Sequence, residues 1–145
     1  MRIEIEINKN DVYEEVKKTS WYVGVKIGDN SYKIISINEE DRIMLDRFFE
    51  ESKNTLINRL IRVFYKENVS EDNNVYTIHL ILSDAFNKNL LQSIQSSLFS
   101  FYVMSIISKW FAITNKPESG EYATNAVALL EDVAKKVRYK IRPRH

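Results

Sequence analysis

The sequence predicts a mostly α protein with a small β element, an α+β chain whose core resembles a four-helix bundle with a short antiparallel hairpin or sheet added. Three observations lead there. Residues 2–7, "RIEIEI", alternate strictly between apolar and charged side chains, which is the period of a strand covered on one face. Long stretches elsewhere repeat their apolar residues at helical spacing, and only 3 Gly and 2 Pro punctuate 145 residues. A second short run, "VYTIHLIL" near 75–82, is rich in β-branched and aromatic residues and suits a partner for the first strand.

Taken in order, the first strand places Ile3, Ile5 and Ile7 on one face and Arg2, Glu4 and Glu6 on the other. Asp11 followed by Glu14 suggests a capping box, and Val12, Val16, Thr19 and Val23 continue it as a helix over about 11–26 that ends near Gly28. Ser36 or Asn38 then serves as an N-cap, with three acids at 39–41 suited to a helix N-terminus. The apolar series Leu45, Phe48, Phe49, Leu56, Leu60 and Phe64 predicts one long amphipathic helix behind them. "KENVSEDNN" at 66–74 has turn composition, although residues near 62–67 could join the sheet. A third helix is expected from Ser83 or Asp84 to about Ile113, broken from a fourth at Pro117. The fourth carries Tyr122, Ala126, Leu129, Leu130, Val133 and Val137 and runs toward Pro143.

A chain of this length can bury about two-thirds of its unfolded surface, so one domain over 1–145 with a basic tail at about 135–145 is expected. The 21 basic and 20 acidic side chains nearly cancel and select no partner by global charge. With no cysteine, disulfides, thiol nucleophiles and thiolate zinc sites are excluded. The opening residues lack the continuous apolar run of a secretory signal, which predicts synthesis in the cytoplasm without export.

The most apolar stretch, "SLFSFYVMSIISKWF" at 97–111, belongs to a span from Leu90 to Ser108 without a charge. Eight Ser and Gln side chains interrupt that span, so a core helix is favoured over a membrane helix. Ser93, Ser97, Ser100 and Ser108 fall within about 80° on a helical wheel, a stripe that lets another helix approach closely. Apolar residues point in the remaining directions. That surplus marks Phe99, Val103, Ile107, Trp110 and Phe111 as candidate contacts with another subunit.

Signals for chemistry are sparse. A di-iron bundle needs two Glu-x-x-His units, and His79 and His145 sit in none. The adjacent acids Glu14 with Glu15, Glu39 to Asp41, and Glu131 with Asp132 point about 100° apart on a helix, which suits solvated faces better than a shared site. "GVKIGDN" lacks the spacing of a phosphate-binding loop, and no serine lies in a nucleophile elbow. His79 reads as an exposed or satisfied strand residue. We therefore expect no catalytic residue, no metal and no cofactor. The last eleven residues concentrate Lys135, Lys136, Arg138, Lys140, Arg142 and Arg144. Cations suit a helix C-terminus, but such a tail could also contact nucleic acid or an acidic protein surface, with Arg138, Lys140, Arg142 and Arg144 as its contacts.

The phrases "TSWYVGVKI", "DRIMLDRFFEES", "SLFSFYVMSIISKWFAITNK" and "YATNAVALLEDVAKKVRYKIRPR", in that order, resemble small proteins from the structural gene blocks of Bacteroides phages and prophages, including crAss-like phages. Within those blocks the chain is similar to head–tail connector, or neck ring, proteins. The resemblance covers roughly residues 10–144 and rests on overall pattern. It implies a virion component at the head–tail neck and no enzyme. Its copies would form a homo-oligomeric ring, twelvefold to match the portal, around the channel through which DNA passes. The portal and the neighbouring neck or tail proteins would be its partners. The alternative from the residues alone is a nucleic-acid-binding or DNA-packaging accessory protein that uses the basic tail.

Overall fold

The computed structural model describes residues 1–28 and 36–140. Among them are four helices and one three-stranded antiparallel sheet, the mostly α arrangement with a small β element that the periodicities predict. Strand β1 (Arg2–Asn8) buries Ile3, Ile5 and Ile7 and leaves Arg2, Glu4 and Glu6 exposed. It passes without a loop into α1 (Lys9–Ile27). The cap is Asn8 and not Asp11: the Asn8 Oδ1 accepts the Asp11 backbone N–H at 3.1 Å, so the helix starts two residues before the expected position. Gly28 closes α1 at φ +85°, a conformation that favours glycine.

A single 3-10 turn at Glu39–Asp41 leads into α2 (Arg42–Arg59). The Asp41 carboxylate reaches back to the Asn38 N–H at 2.8 Å, which selects Asn38 over Ser36 as the cap. The expected extension of this helix to Phe64 does not occur. The helix stops at Leu60, and Phe64 opens β2 (Phe64–Val69), which turns through residues 70–74 into β3 (Val75–Ile81). Asn73 takes the left-handed conformation, φ 59°, that the tight turn requires and that asparagine tolerates. The sheet order is β1-β3-β2, with Ile5 opposite Ile78 and Glu4 opposite His79. So residues near 62–67 do join the sheet, and the turn is shorter than its composition suggested.

Helix α3 (Leu91–Thr114) begins at Leu91, later than Ser83 or Asp84, because residues 83–87 form turns and a 3-10 turn at Lys88–Leu90 intervenes under an Asn87 cap. One residue, Asn115, separates α3 from α4 (Lys116–Lys136). Pro117 lies in the first turn of α4, where its missing N–H costs nothing, so the break falls just before it. The fourth helix ends at Lys136, short of Pro143, which lies outside the described residues. Its chain then folds back: Tyr139 C=O accepts from Asn87 N–H at 3.3 Å, and Lys140 bridges Phe86.

Helix α3 is the hub, touched by α1, α2, α4 and β1. By length and composition it is the one described helix able to cross a membrane, and in the fold ten of its side chains are buried. The serine stripe faces α4, where Ser97 Oγ donates to Asp132 at 3.1 Å and Lys136 Nζ donates to Ser93 at 2.5 Å. Ser105, off that stripe, meets Ser52 of α2 at 2.7 Å inside the core. Beneath the sheet, Phe49 stacks on Tyr102 with ring centroids 4.5 Å apart and meets Tyr13 and Tyr76 edge-on.

Gln95 of α3 lies against the outer edge of β1. Its Oε1 accepts the Glu6 N–H at 3.2 Å and its Nε2 donates to the Glu6 C=O, so one side chain stands in for a neighbouring strand.

Candidate functional site

Of the nine residues marked for contact, Val103, Ile107, Trp110 and Phe111 lie buried in the chain's own core. The reason is the hub position of α3: a helix apolar in every direction finds a partner in every direction within one chain. Phe99 is half-buried. Arg138 and Lys140 are exposed beyond α4, and Arg142 and Arg144 lie outside the described residues.

Phe99 lines a groove of about 500 Å³ whose charged walls are Glu4, Glu6 and Asp11. Strand β1 supplies the two glutamates on its solvent face, and the first turn of α1 supplies the aspartate, where an acid suits the helix dipole. Glu4 reaches His79 Nδ1 at 3.4 Å. Among the described residues, no cation lies within ion-pair distance of Glu6 or Asp11. His79 is buried on the central strand between Glu4 and Asn68, whose Oδ1 is 2.5 Å from Nε2, so it is a held strand residue and not an exposed one.

Arg138 lines a second groove, about 440 Å³, between the C-terminal ends of α2 and α4. Arg59 and Arg62 share its wall with the apolar Ile61 and Val137. Arg59 is committed: its fork meets the Glu131 carboxylate at 2.7 and 2.8 Å, and that contact holds the Glu131 carboxyl below its ordinary range. Arg138 spends its Nε on the Ala134 carbonyl at 3.0 Å. Neither Arg62 nor Arg138 has a carboxylate within ion-pair distance among the described residues. Glu131 and Asp132 point apart as their spacing requires, one to α2 and the other to Ser97 and Lys136.

A third surface is apolar. Trp21 is 53% exposed and Tyr22 65%, with Val25 and Ile27 exposed farther along α1 and Tyr122 of α4 beside them. Two adjacent aromatics on a helix point about 100° apart, so at least one was bound to leave the core. That spacing was the available signal for this patch, as the Glu4 and Glu6 alternation was for the acidic groove. Arg59 and Arg62 had no comparable signal, since their placement depends on the meeting of two helix ends.

Titrating groups in the interior are bound into the packing. Burial, then the hydrogen bond to Asp46 at 2.6 Å, raises the Tyr13 phenol. Burial and the Glu67 carboxylate at 2.7 Å do the same for Tyr76, and burial leads for Tyr102, whose hydroxyl has no hydrogen-bond partner among the described residues. These phenols stay protonated, and none lines the grooves above. Lys9 is buried with its ammonium 4.9 Å from the Phe49 ring centre and 3.4 Å from Asn73 Oδ1. No group of three or more His, Asp or Glu side chains is placed to hold a metal ion among the described residues. No family model, curated protein or solved structure matches the chain.

Proposed function

We propose that the chain is a structural virion subunit, a head–tail connector or neck ring protein of the kind found in Bacteroides and crAss-like phages. Copies associate into a ring around the DNA channel, with the portal above and neck or tail proteins below. The observation that carries this reading is the exposure of Trp21, Tyr22 and Val25 within about 100° on one side of α1, large side chains that a lone subunit leaves in water. Tryptophan and tyrosine are the residues most often central to protein contacts, and "TSWYVGVKI" is one of the phrases on which the resemblance rests. Twelve copies follow from matching the portal, and the neck of the virion is where the protein would reside.

Light scattering coupled to gel filtration over a range of concentrations, with negative-stain images and a mixture with portal complexes, tests the proposal. Closed rings, formed alone or on the portal, are expected. A chain that stays monomeric and fails to join the portal overturns it.

A second reading, binding to nucleic acid through the basic end of the chain, is favoured by Arg62 and Arg138, neither of which has an ion-pair carboxylate among the described residues. Near-neutral overall charge weighs against it. Under this reading the R62A/R138A protein loses DNA affinity and flattens its salt dependence. Unchanged binding removes it.

A further inference from the structure

The two charged grooves lie toward opposite ends of the central strand. Val75, the first residue of β3, lines the acidic one. Val63, which lines the basic one, accepts the N–H of Ile81 at the strand's other end. From residue 75 to residue 81 a strand advances about 20 Å. Glu6 and Asp11 therefore stand far outside ion-pair reach of Arg62 and Arg138 in the same chain, and neither pair has an ion-pair partner among the described residues, although Glu131 lies near enough to Arg138 to feel its charge.

We propose that the acidic groove of one copy receives the basic end of a second copy, with Glu6 and Asp11 facing Arg62 and Arg138. The inference rests on the ring reading above and names the faces through which the ring grows. Each groove supplies more than charge: Phe99 gives the acidic one an apolar wall, and Ile61, 59% exposed, gives the basic one an apolar projection. Because the two faces differ and each copy in a ring engages two neighbours, the contact is heterologous. Every copy docked leaves one free face of each kind, so the contact propagates until rotation closes it. A two-fold contact centred on either groove alone, by contrast, would set like charges against each other.

The test uses two charge-reversed proteins, E6K/D11K and R62E/R138E, in sedimentation velocity at low and moderate salt. The wild type is expected to associate reversibly and to weaken as salt rises. Each variant alone should associate on the order of tenfold more weakly or worse, because its reversed face now meets a like charge. An equimolar mixture should regain association, since the intact basic end of the first variant meets the intact acidic groove of the second. The neutral E6Q and R138Q proteins cover the case in which a reversal disturbs folding, and each should weaken association by a smaller factor.

If the wild type associates while both reversals leave it unchanged, the pairing of these grooves is overturned and the ring reading stands. Failure of the mixture to recover, with both variants folded, also overturns the pairing. A wild type monomeric at low salt overturns the pairing as well, and the portal mixture then decides the ring reading separately.

Discussion

The buried contact between Ser52 Oγ and Ser105 Oγ, 2.7 Å across the α2–α3 packing, allows a double-mutant cycle with a definite sign. Removing either hydroxyl loses a hydrogen bond with a net worth of about 1 kcal/mol and strands the other in the interior at a further cost of about 1–3 kcal/mol. Two effects reduce that cost. A stranded helical serine can turn toward a carbonyl one turn back, and alanine improves the helix by up to about 0.5 kcal/mol. S52A and S105A should each destabilise by about 1–2 kcal/mol. The double variant strands nothing and gains both helix preferences, so it should cost only about 0–1 kcal/mol. The coupling is then about 1–4 kcal/mol, with the singles summing to more than the double. Urea unfolding followed by far-ultraviolet circular dichroism, with unchanged m values, reads all four corners. A double variant as destabilised as the sum of the singles would falsify the claim that these hydroxyls satisfy each other.

Replacing Gln95 with alanine should leave the fold intact while the Glu6 amide loses protection against hydrogen exchange; unchanged protection would mean that the side chain does not seal the edge of β1. Lys136 first, and Ser97 after burial, hold the Asp132 carboxyl below its ordinary range. Its stabilising contribution is present above the usual aspartate value of about 4 and is lost as pH falls through the lower folded value, so D132N should flatten the acid limb of a stability profile. The raised Tyr13, Tyr76 and Tyr102 phenols give the opposite sign: stability holds below about pH 10 and is lost as pH climbs toward their folded values. Phenolate absorbance should then show these three titrating with unfolding, and three independent titrations in the folded chain would contradict it. Changing Trp21 and Tyr22 to serine should weaken assembly, alone or with portal complexes, without lowering thermal stability, and assembly of unaltered yield would show that these side chains make no contact.

Element type was legible wherever one face of an element is buried. The alternation of Ile3, Ile5 and Ile7 and the helical spacing of Val12 with Val16 or Leu130 with Val133 each record a single interior side. Boundaries were less legible because they depend on which of two competent polar residues takes a backbone N–H. Asn8 and Asp11 both suit a cap, and the choice depends on how far β1 pairs with β3. Phe64 fits the spacing of α2, yet pairing with Leu80 draws it into the sheet. Periodicity also fails for a hub. An α3 enclosed on several sides looks like an α3 that awaits a partner, and only the fold separates Phe111, enclosed, from Phe99, at a groove. The charged grooves combine residues from distant parts of the chain, so no local pattern could announce them.

The antiparallel pairing of residues 2–8 with residues 75–81 has a consequence for synthesis. The ribosome releases the first strand about 67 residues before its partner, a wait of roughly 3 to 13 seconds at ordinary elongation rates of about 5–20 residues per second. Throughout that interval three isoleucines stand in an unpaired ribbon, the kind of segment that recruits other nascent chains. Glu4 and Glu6, interleaved with them, charge the ribbon at every second position and oppose stacking with an identical copy. The two glutamates that wall the acidic groove in the finished protein thus have an earlier task, as guardians of a polysome crowded with identical half-made chains.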